Sequence, residues 1–135
     1  MHYLLDTNIC IYLIKKRPPR VLERFREHLP RDVGISTITI FELQYGVEKS
    51  QYRQRSEDAL AKFLSPLNLI DLDRLVAEEA AVIRAQLEKN GTSIGPYDLL
   101  IAGLARSRSL TLVTNNTREF ERIVGLHIEN WIDPQ

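Results

Sequence analysis

Short apolar runs alternate along this chain with longer stretches whose apolar residues recur every third or fourth position. The first run, Tyr3–Leu5, predicts a buried strand, and Thr7 or Asn8 is expected to cap a helix through about Lys16. Pro18-Pro19 breaks that helix and opens another over 20–28, with Pro19 near its first turn. Val33-Gly34-Ile35 reads as a second strand, after which Ser36 or Thr37 caps a helix that holds Phe41-Glu42-Leu43 and ends near Lys49. Leu60, Phe63 and Leu64 give helical spacing to the stretch from Arg53 to Leu64. Residues 68–71 form the third predicted strand. Asp73 then caps a long helix that stops at Asn90-Gly91. Gly95-Pro96 opens a helix over 97–108, followed by a strand at 110–113, a short helix at 117–123 and a fifth strand at 126–129. This alternation predicts an α/β fold: a short, mainly parallel twisted sheet with helices on both faces.

The bulk numbers narrow the classes. No repeat, low-complexity tract or linker interrupts the 135 residues, so a single domain over 1–135 is expected. Lys+Arg and Asp+Glu balance at 18 each, which disfavours a passive nucleic-acid binder with a basic excess but not an enzyme with an acidic site. The one cysteine, Cys10, lies in the apolar run Ile9-Cys10-Ile11-Tyr12-Leu13-Ile14 and reads as a small core residue. It has no internal disulfide partner, which fits a reducing cytoplasm. Asp6 interrupts that run, no positive segment precedes it, and it is too short to span a membrane.

Four acids fall where strands give way to helices. Asp6 follows the first strand, Glu42 lies in the helix after the second, Asp98 sits in the first turn after Gly95-Pro96, and Glu119 follows the fourth strand just behind Asn115-Asn116. Ligands in open α/β sheets bind at this carboxyl edge. Each acid also has an ordinary reading: Asp6 as a helix cap, Asp98 as a complement to a helix dipole, Glu119 as a solvated surface acid. Glu42 is harder to dismiss, because Phe41, Leu43, Ile38 and Tyr45 surround it with apolar neighbours and a carboxylate among them needs a partner. Gathered together, such acids raise one another's pKa and call for a counter-ion. Oxygen-only donors select Mg²⁺, or Mn²⁺, over zinc. His2, His28 and His127 are scattered without ligand spacing, and Asp58, Asp73 and Asp133 read as caps or surface acids. There is no Gly-x-Ser-x-Gly elbow, Gly-rich phosphate loop or Cys-x-x-Cys pair.

Four blocks carry a resemblance: Leu4-Leu5-Asp6-Thr7-Asn8, Ile40-Phe41-Glu42-Leu43-x-Tyr45-Gly46, Gly95-Pro96-Tyr97-Asp98-x-x-Ile101-Ala102 and Leu112-Val113-Thr114-Asn115-Asn116-x-Arg118-Glu119-Phe120. In this order and spacing they resemble the signatures of PIN-domain ribonucleases, and more closely those of VapC toxins of bacterial toxin–antitoxin pairs. The resemblance runs from about Tyr3 to Trp131. It implies a PIN-like fold with Asp6 and Asp98 as principal metal ligands and Glu42 completing the pocket. Many PIN domains carry an aspartate soon after the fourth-strand threonine; here Asn115-Asn116 stand there, and Glu119 is the substitute, with Asn116, Thr7 and Thr114 in supporting places.

The implied activity is metal-dependent hydrolysis of RNA phosphodiesters, leaving a 5′-phosphate and a 3′-hydroxyl, with a tRNA anticodon loop as the favoured substrate. Lys15, Lys16, Arg17, Arg20 and Arg24 near the first helix, and Arg106, Arg108, Arg118 and Arg122 nearer the acids, are the candidates for drawing in RNA. The implied partners are a VapB-type antitoxin whose C-terminal segment blocks the pocket, and a second toxin copy. The toxin homodimer and antitoxin form a larger hetero-oligomer that meets promoter DNA only through the antitoxin. The alternatives are an inert PIN module that binds RNA or protein, and a phosphatase with Asp6 as nucleophile. The latter expects an acid where Asn8 stands.

Overall fold

The computed structural model describes residues 2–133; Met1, Pro134 and Gln135 lie outside the described residues. Five strands, β1 (Tyr3–Leu5), β2 (Val33–Ser36), β3 (Asn68–Ile70), β4 (Thr111–Val113) and β5 (Ile128–Glu129), form one sheet in the order β3-β2-β1-β4-β5. Every pairing is parallel. Among the described residues seven α-helices, and one 3-10 turn at Pro30–Asp32, join them: α1 (Thr7–Lys15), α2 (Pro19–Arg26), α3 (Thr37–Glu48), α4 (Arg53–Leu64), α5 (Arg74–Lys89), α6 (Pro96–Ser107) and α7 (Thr117–Phe120).

Side-chain alternation along the strands divides the core between the two sheet faces. Leu4 and Leu112 point to one face, under α5, α6 and α7, where Ile83, Leu87, Ile101, Leu104 and Phe120 fill the space. Leu5, Ile35 and Val113 point to the other, under α1 to α4, with Ile9, Cys10, Val21, Leu43, Leu60 and Trp131. Cys10 is buried and free, as its apolar run predicts.

The predicted elements all form, and their edges shift for local reasons. The first helix is capped by Asp6 rather than Thr7 or Asn8: its Oδ1 accepts from the Ile9 N–H at 2.9 Å. Asp73 caps α5 as expected, and Asn90 ends it before Gly91 at φ +70°. The fourth strand starts at Thr111, because Leu110 N–H still bonds back to the Ala105 carbonyl after a left-handed Ser109. The last strand shrinks to two residues, since Leu126 N–H closes a turn onto Ile123 and Gly125 takes φ +81°.

The strand order positions a site. After β1 the chain adds β2 and β3 on one side, then crosses to lay β4 on the other. The crevice at that switch, outside the carboxyl ends of β1 and β4, is where open α/β sheets bind ligands. Leu5 pairs with Val113, so Asp6 and Thr114 emerge side by side from it, and Asp6 N–H bonds to the Val113 carbonyl at 3.0 Å.

Candidate active site

All four sequence-predicted acids come to this edge. Asp6 is only 6% exposed, held by the turn from β1 into α1. Glu42, from the second turn of α3, is half-buried. Asp98, in the first turn of α6 behind Gly95 and Pro96, is half-buried too, and Glu119 reaches in from α7.

Their mutual influence shows in their protonation. Burial, then the charges of Asp98 and Glu42, push the Asp6 carboxyl up from 3.8 to about 6, against the hydrogen bonds from Thr114 and Ile9. Burial, then Glu119 and Glu42, push Asp98 upward. Coulombic reach therefore links the four into one self-repelling set. No basic side chain figures among the groups acting on either aspartate.

Neutral donors hold three of the four in place. Thr7 Oγ1 donates to Glu42 Oε1 at 2.7 Å and also lies 3.1 Å from Thr39 Oγ1. A hydroxyl has one proton, so with the Thr7 proton on Glu42, Thr39 must donate to Thr7. Ser36 Oγ lies 3.3 Å from Thr39 Oγ1 as its donor, while accepting from Thr39 N–H at 3.1 Å. A directed hydroxyl chain, Ser36 to Thr39 to Thr7 to Glu42, thus ends on the carboxylate. Across the crevice, Thr114 donates to Asp6 while its Oγ1 accepts from Asn116 N–H at 2.9 Å. Asn116 Nδ2 donates to Glu119 Oε2 at 2.9 Å. Among the described residues no hydrogen-bond donor reaches Asp98.

The donor chemistry fits a hard divalent cation: four carboxylates, no nitrogen or sulfur, and a charge excess with no internal cation. As they stand, no three His, Cys, Asp or Glu side chains among the described residues are grouped to hold one. Repulsion keeps uncompensated carboxylates apart, and the threonine and asparagine donors give Glu42 and Glu119 alternative resting positions.

Several sequence readings need correction. Glu42 is not embedded in an apolar face: Phe41 and Tyr45 are exposed, and its partner is the Thr7 hydroxyl. Arg106 and Arg108 lie at the far end of α6 from Asp98. Arg106 pairs with Glu79, its Nε at 2.8 Å, and Arg108 with Asp73 at 3.1 Å. Arg106, 17% exposed, is tied into the fold, whereas Arg108 keeps nearly half its side chain exposed beside an equally exposed Asp73. Arg24 is drawn to Glu129 at 3.5 Å. Arg122 leans on the Thr92 and Ser93 carbonyls, both at 3.5 Å, and Arg118 is exposed beside Glu119. Lys15, Lys16, Arg17 and Arg20 remain exposed near the end of α1. Sequence reasoning missed Ser36 and Thr39, both fully buried. The signal was three hydroxyls within four residues directly after a buried strand.

Beside Glu42 a groove of about 640 Å³ opens between α1, α3 and α4. Ile11, Ile14, Leu43, Val47 and Leu60 line it, and Lys15, Lys49 and Arg55 stand along it.

A parallel sheet with a carboxylate cluster at the β1/β4 switch point defines the class, and the chain belongs to the PIN-domain family, whose model matches residues 3–126. Within that family it is similar to VapC proteins. It is similar to the tRNA(fMet)-specific endonuclease VapC of Shigella flexneri, 47% identical over 131 residues, 97% of this chain and 98% of that one. Ribonuclease VapC2 of Haemophilus influenzae is 46% identical over 132 residues, 98% and 99% of the two chains. Among solved structures, DNA-bound VapBC from Salmonella typhimurium superposes with a TM-score of 0.91 at 47% identity, covering 97% of this chain and 98% of that one. VapBC2 from Rickettsia felis, bound to a DNA fragment from its promoter, gives 0.89 at 42% identity, covering 97% and 99%. The four-motif resemblance and the PIN-like fold are borne out.

Proposed function

We propose that this chain is the endoribonuclease toxin of a VapBC-type toxin–antitoxin pair, a single-domain hydrolase that needs Mg²⁺, or Mn²⁺ in its place, and cleaves a tRNA. The observation that carries the reading is the uncompensated carboxylate set at the β1/β4 switch point, in a chain about 47% identical to a tRNA(fMet)-specific endonuclease over nearly all its length.

Asp6 and Asp98 would hold the cation, with Glu42 and Glu119 completing the set. Bound there, a hard divalent cation supplies charge neutralisation for the scissile phosphodiester and activation of water. The chain's own groups do the rest. Thr114 fixes Asp6, the hydroxyl chain through Thr39 and Thr7 aims Glu42, and Asn116 aims Glu119. Asp98, free of donors, turns without losing a bond. An aspartate nucleophile is disfavoured, because Asp6 is buried and its Oδ1 is engaged by the Ile9 N–H as the cap of α1.

The groove beside Glu42 supports the antitoxin part of the proposal. Its apolar floor and three cationic side chains suit an amphipathic, acid-bearing antitoxin segment ending near the acids. Contact of the complex with promoter DNA belongs to the same reading and is supported by VapBC neighbours bound to DNA. A second toxin copy and the antitoxin as the DNA-contacting part are what the family resemblance implies. No helix of the described residues is long and apolar enough to cross a membrane. The free, buried Cys10 supports a reducing bacterial cytoplasm.

End-mapping of total bacterial RNA incubated with the purified chain tests this directly. Discrete new ends that need Mg²⁺, disappear with EDTA and disappear in Asp98→Asn are expected, clustered in a tRNA. Intact RNA in every lane from a folded protein would replace the nuclease with an inert binding module.

A further inference from the structure

The acidic crevice accounts for cleavage, but its carboxylates repel phosphates, Arg106 is tied to Glu79, and the exposed Arg118 beside Glu119 is a single cation for a whole strand. Grip on a single strand must come from something beside the acids. Two aromatic side chains flank them directly in sequence, Phe41 before Glu42 and Tyr97 before Asp98. They come from α3 and α6, the two helices that carry Glu42 and Asp98, and pack edge to face with ring centroids 5.8 Å apart and planes at 73°. Both are exposed, Phe41 to 57% and Tyr97 to 44%. An edge-to-face pair of this kind leaves one ring's face open to a third flat group.

The apolar surface continues in one direction and ends in charge. One turn along α3 from Phe41 stands Tyr45, 60% exposed, and one turn beyond it Lys49 places its ammonium 4.8 Å from the Tyr45 ring centroid. Aromatic faces interleaved with a cation are the pattern by which proteins hold single-stranded nucleic acid: bases stack, and the cation meets the backbone.

Resting on the nuclease reading above, we propose that Phe41 and Tyr97 form a stacking platform that receives an unpaired base next to the scissile phosphate, with Tyr45 and Lys49 carrying the following nucleotide. The platform's placement explains why both rings neighbour pocket acids: a base stacked there sets its own phosphate over the crevice. The site would therefore demand an unstacked base, as in a loop, and reject a paired one.

The test uses an RNA stem-loop with 2-aminopurine in the loop, titrated with the full chain in EDTA so that nothing is cleaved. Fluorescence should be quenched on binding, and Phe41→Ala or Tyr97→Ala should each weaken binding about ten-fold and remove the quench. Tyr97→Phe should retain both. Phe41→Leu, which keeps apolar bulk without a ring, should lose the quench. In Mg²⁺ the alanine variants should raise KM with kcat little changed. Unchanged binding and quench in Phe41→Ala and Tyr97→Ala, from a wild type that binds and cleaves, would overturn the platform and leave the nuclease standing. So would a Phe41→Ala defect confined to oligomeric state in sedimentation, which would assign the patch to a protein interface. A wild type that neither binds the RNA nor cleaves it in Mg²⁺ would overturn both readings together.

Discussion

Along the seam between α5 and α6, Gly103 lies so close to its neighbour that a Cβ there would sit 2.8 Å from the Ala80 Cβ and 3.0 Å from that residue's backbone. About five residues back along α6, one and a half helical turns away, Asp98 stands among three other carboxylates with no donor of its own. The seam is complete in itself: apolar atoms in contact, backbone against backbone, nothing left to satisfy. The edge is complete only with a visitor, because its charges have no internal counterpart. A single helix takes part in both, so the rigid contact at Gly103 is what presents the unsatisfied acid at Asp98. Stability is concentrated where it fixes the site and withheld from the site itself.

The largest effect that separates the two regions comes from Asp6→Asn. Loss of one principal acid should reduce RNA cleavage by at least about a thousand-fold, several kcal/mol of charge stabilisation. The same change should make the fold more stable. The folded-state pKa of Asp6 lies near 6, above the ordinary 3.8. Between those values the folded chain keeps a proton that the unfolded chain has released, so stability falls as pH rises through this window and the full penalty persists above it. Asparagine still caps α1 and carries no charge. Unfolding free energies of the two proteins from denaturant titration should coincide near pH 4 and differ by up to about 3 kcal/mol in favour of the variant at neutral pH without divalent ions. Added Mg²⁺ should stabilise the parent selectively, and at limiting Mg²⁺ activity should fall as pH is lowered, because protons compete with the cation for Asp6. A variant less stable at pH 7.5 would mean that Asp6 serves the fold first.

Gly103→Val probes the other region. Both clashing backbone atoms belong to Ala80 and have no side-chain freedom with which to move aside. Overpacking of this sort should cost about 3 kcal/mol, visible in urea titration. Cleavage per folded molecule should fall by less than ten-fold, since Asp98 is displaced rather than removed. An unchanged midpoint would show that the seam yields, and the contrast with the edge would dissolve.

How much of this was legible beforehand depended on whether a feature is local. Asp6 after a strand, Asp98 after Gly95-Pro96 and the Asp73 cap are matters of adjacent residues, and each is found where the chain's pattern puts it. Phe41 and Tyr45 were misread because periodicity marks apolar letters without saying whether the sheet or the solvent covers them. Arg106 and Arg108 were misplaced because nearness to Asp98 along α6 says nothing of direction; the helix carries them away, to Glu79 and Asp73. The hydroxyl chain joins residues 32 and 35 positions apart, so only the fold could reveal it.

That chain gives the smallest and sharpest test. Thr7→Val keeps the shape of the side chain and removes the proton that Glu42 accepts at 2.7 Å. Thr39 loses its acceptor at the same time, so a small stability cost of about 1 kcal/mol is expected. If the hydroxyls exist to aim Glu42, cleavage should fall about ten-fold with a weaker response to Mg²⁺, the usual scale for removing a group that orients a ligand. Thr7→Ser, which restores the hydroxyl on a smaller side chain, should recover most of that loss, a recovery that packing alone would not produce. Equal activity in Thr7→Val and the parent, with the stability cost present, would mean that the chain merely satisfies buried hydroxyls. The edge would then be held by the same kind of self-contained contact as the seam, and Glu42 would owe its position to α3 alone.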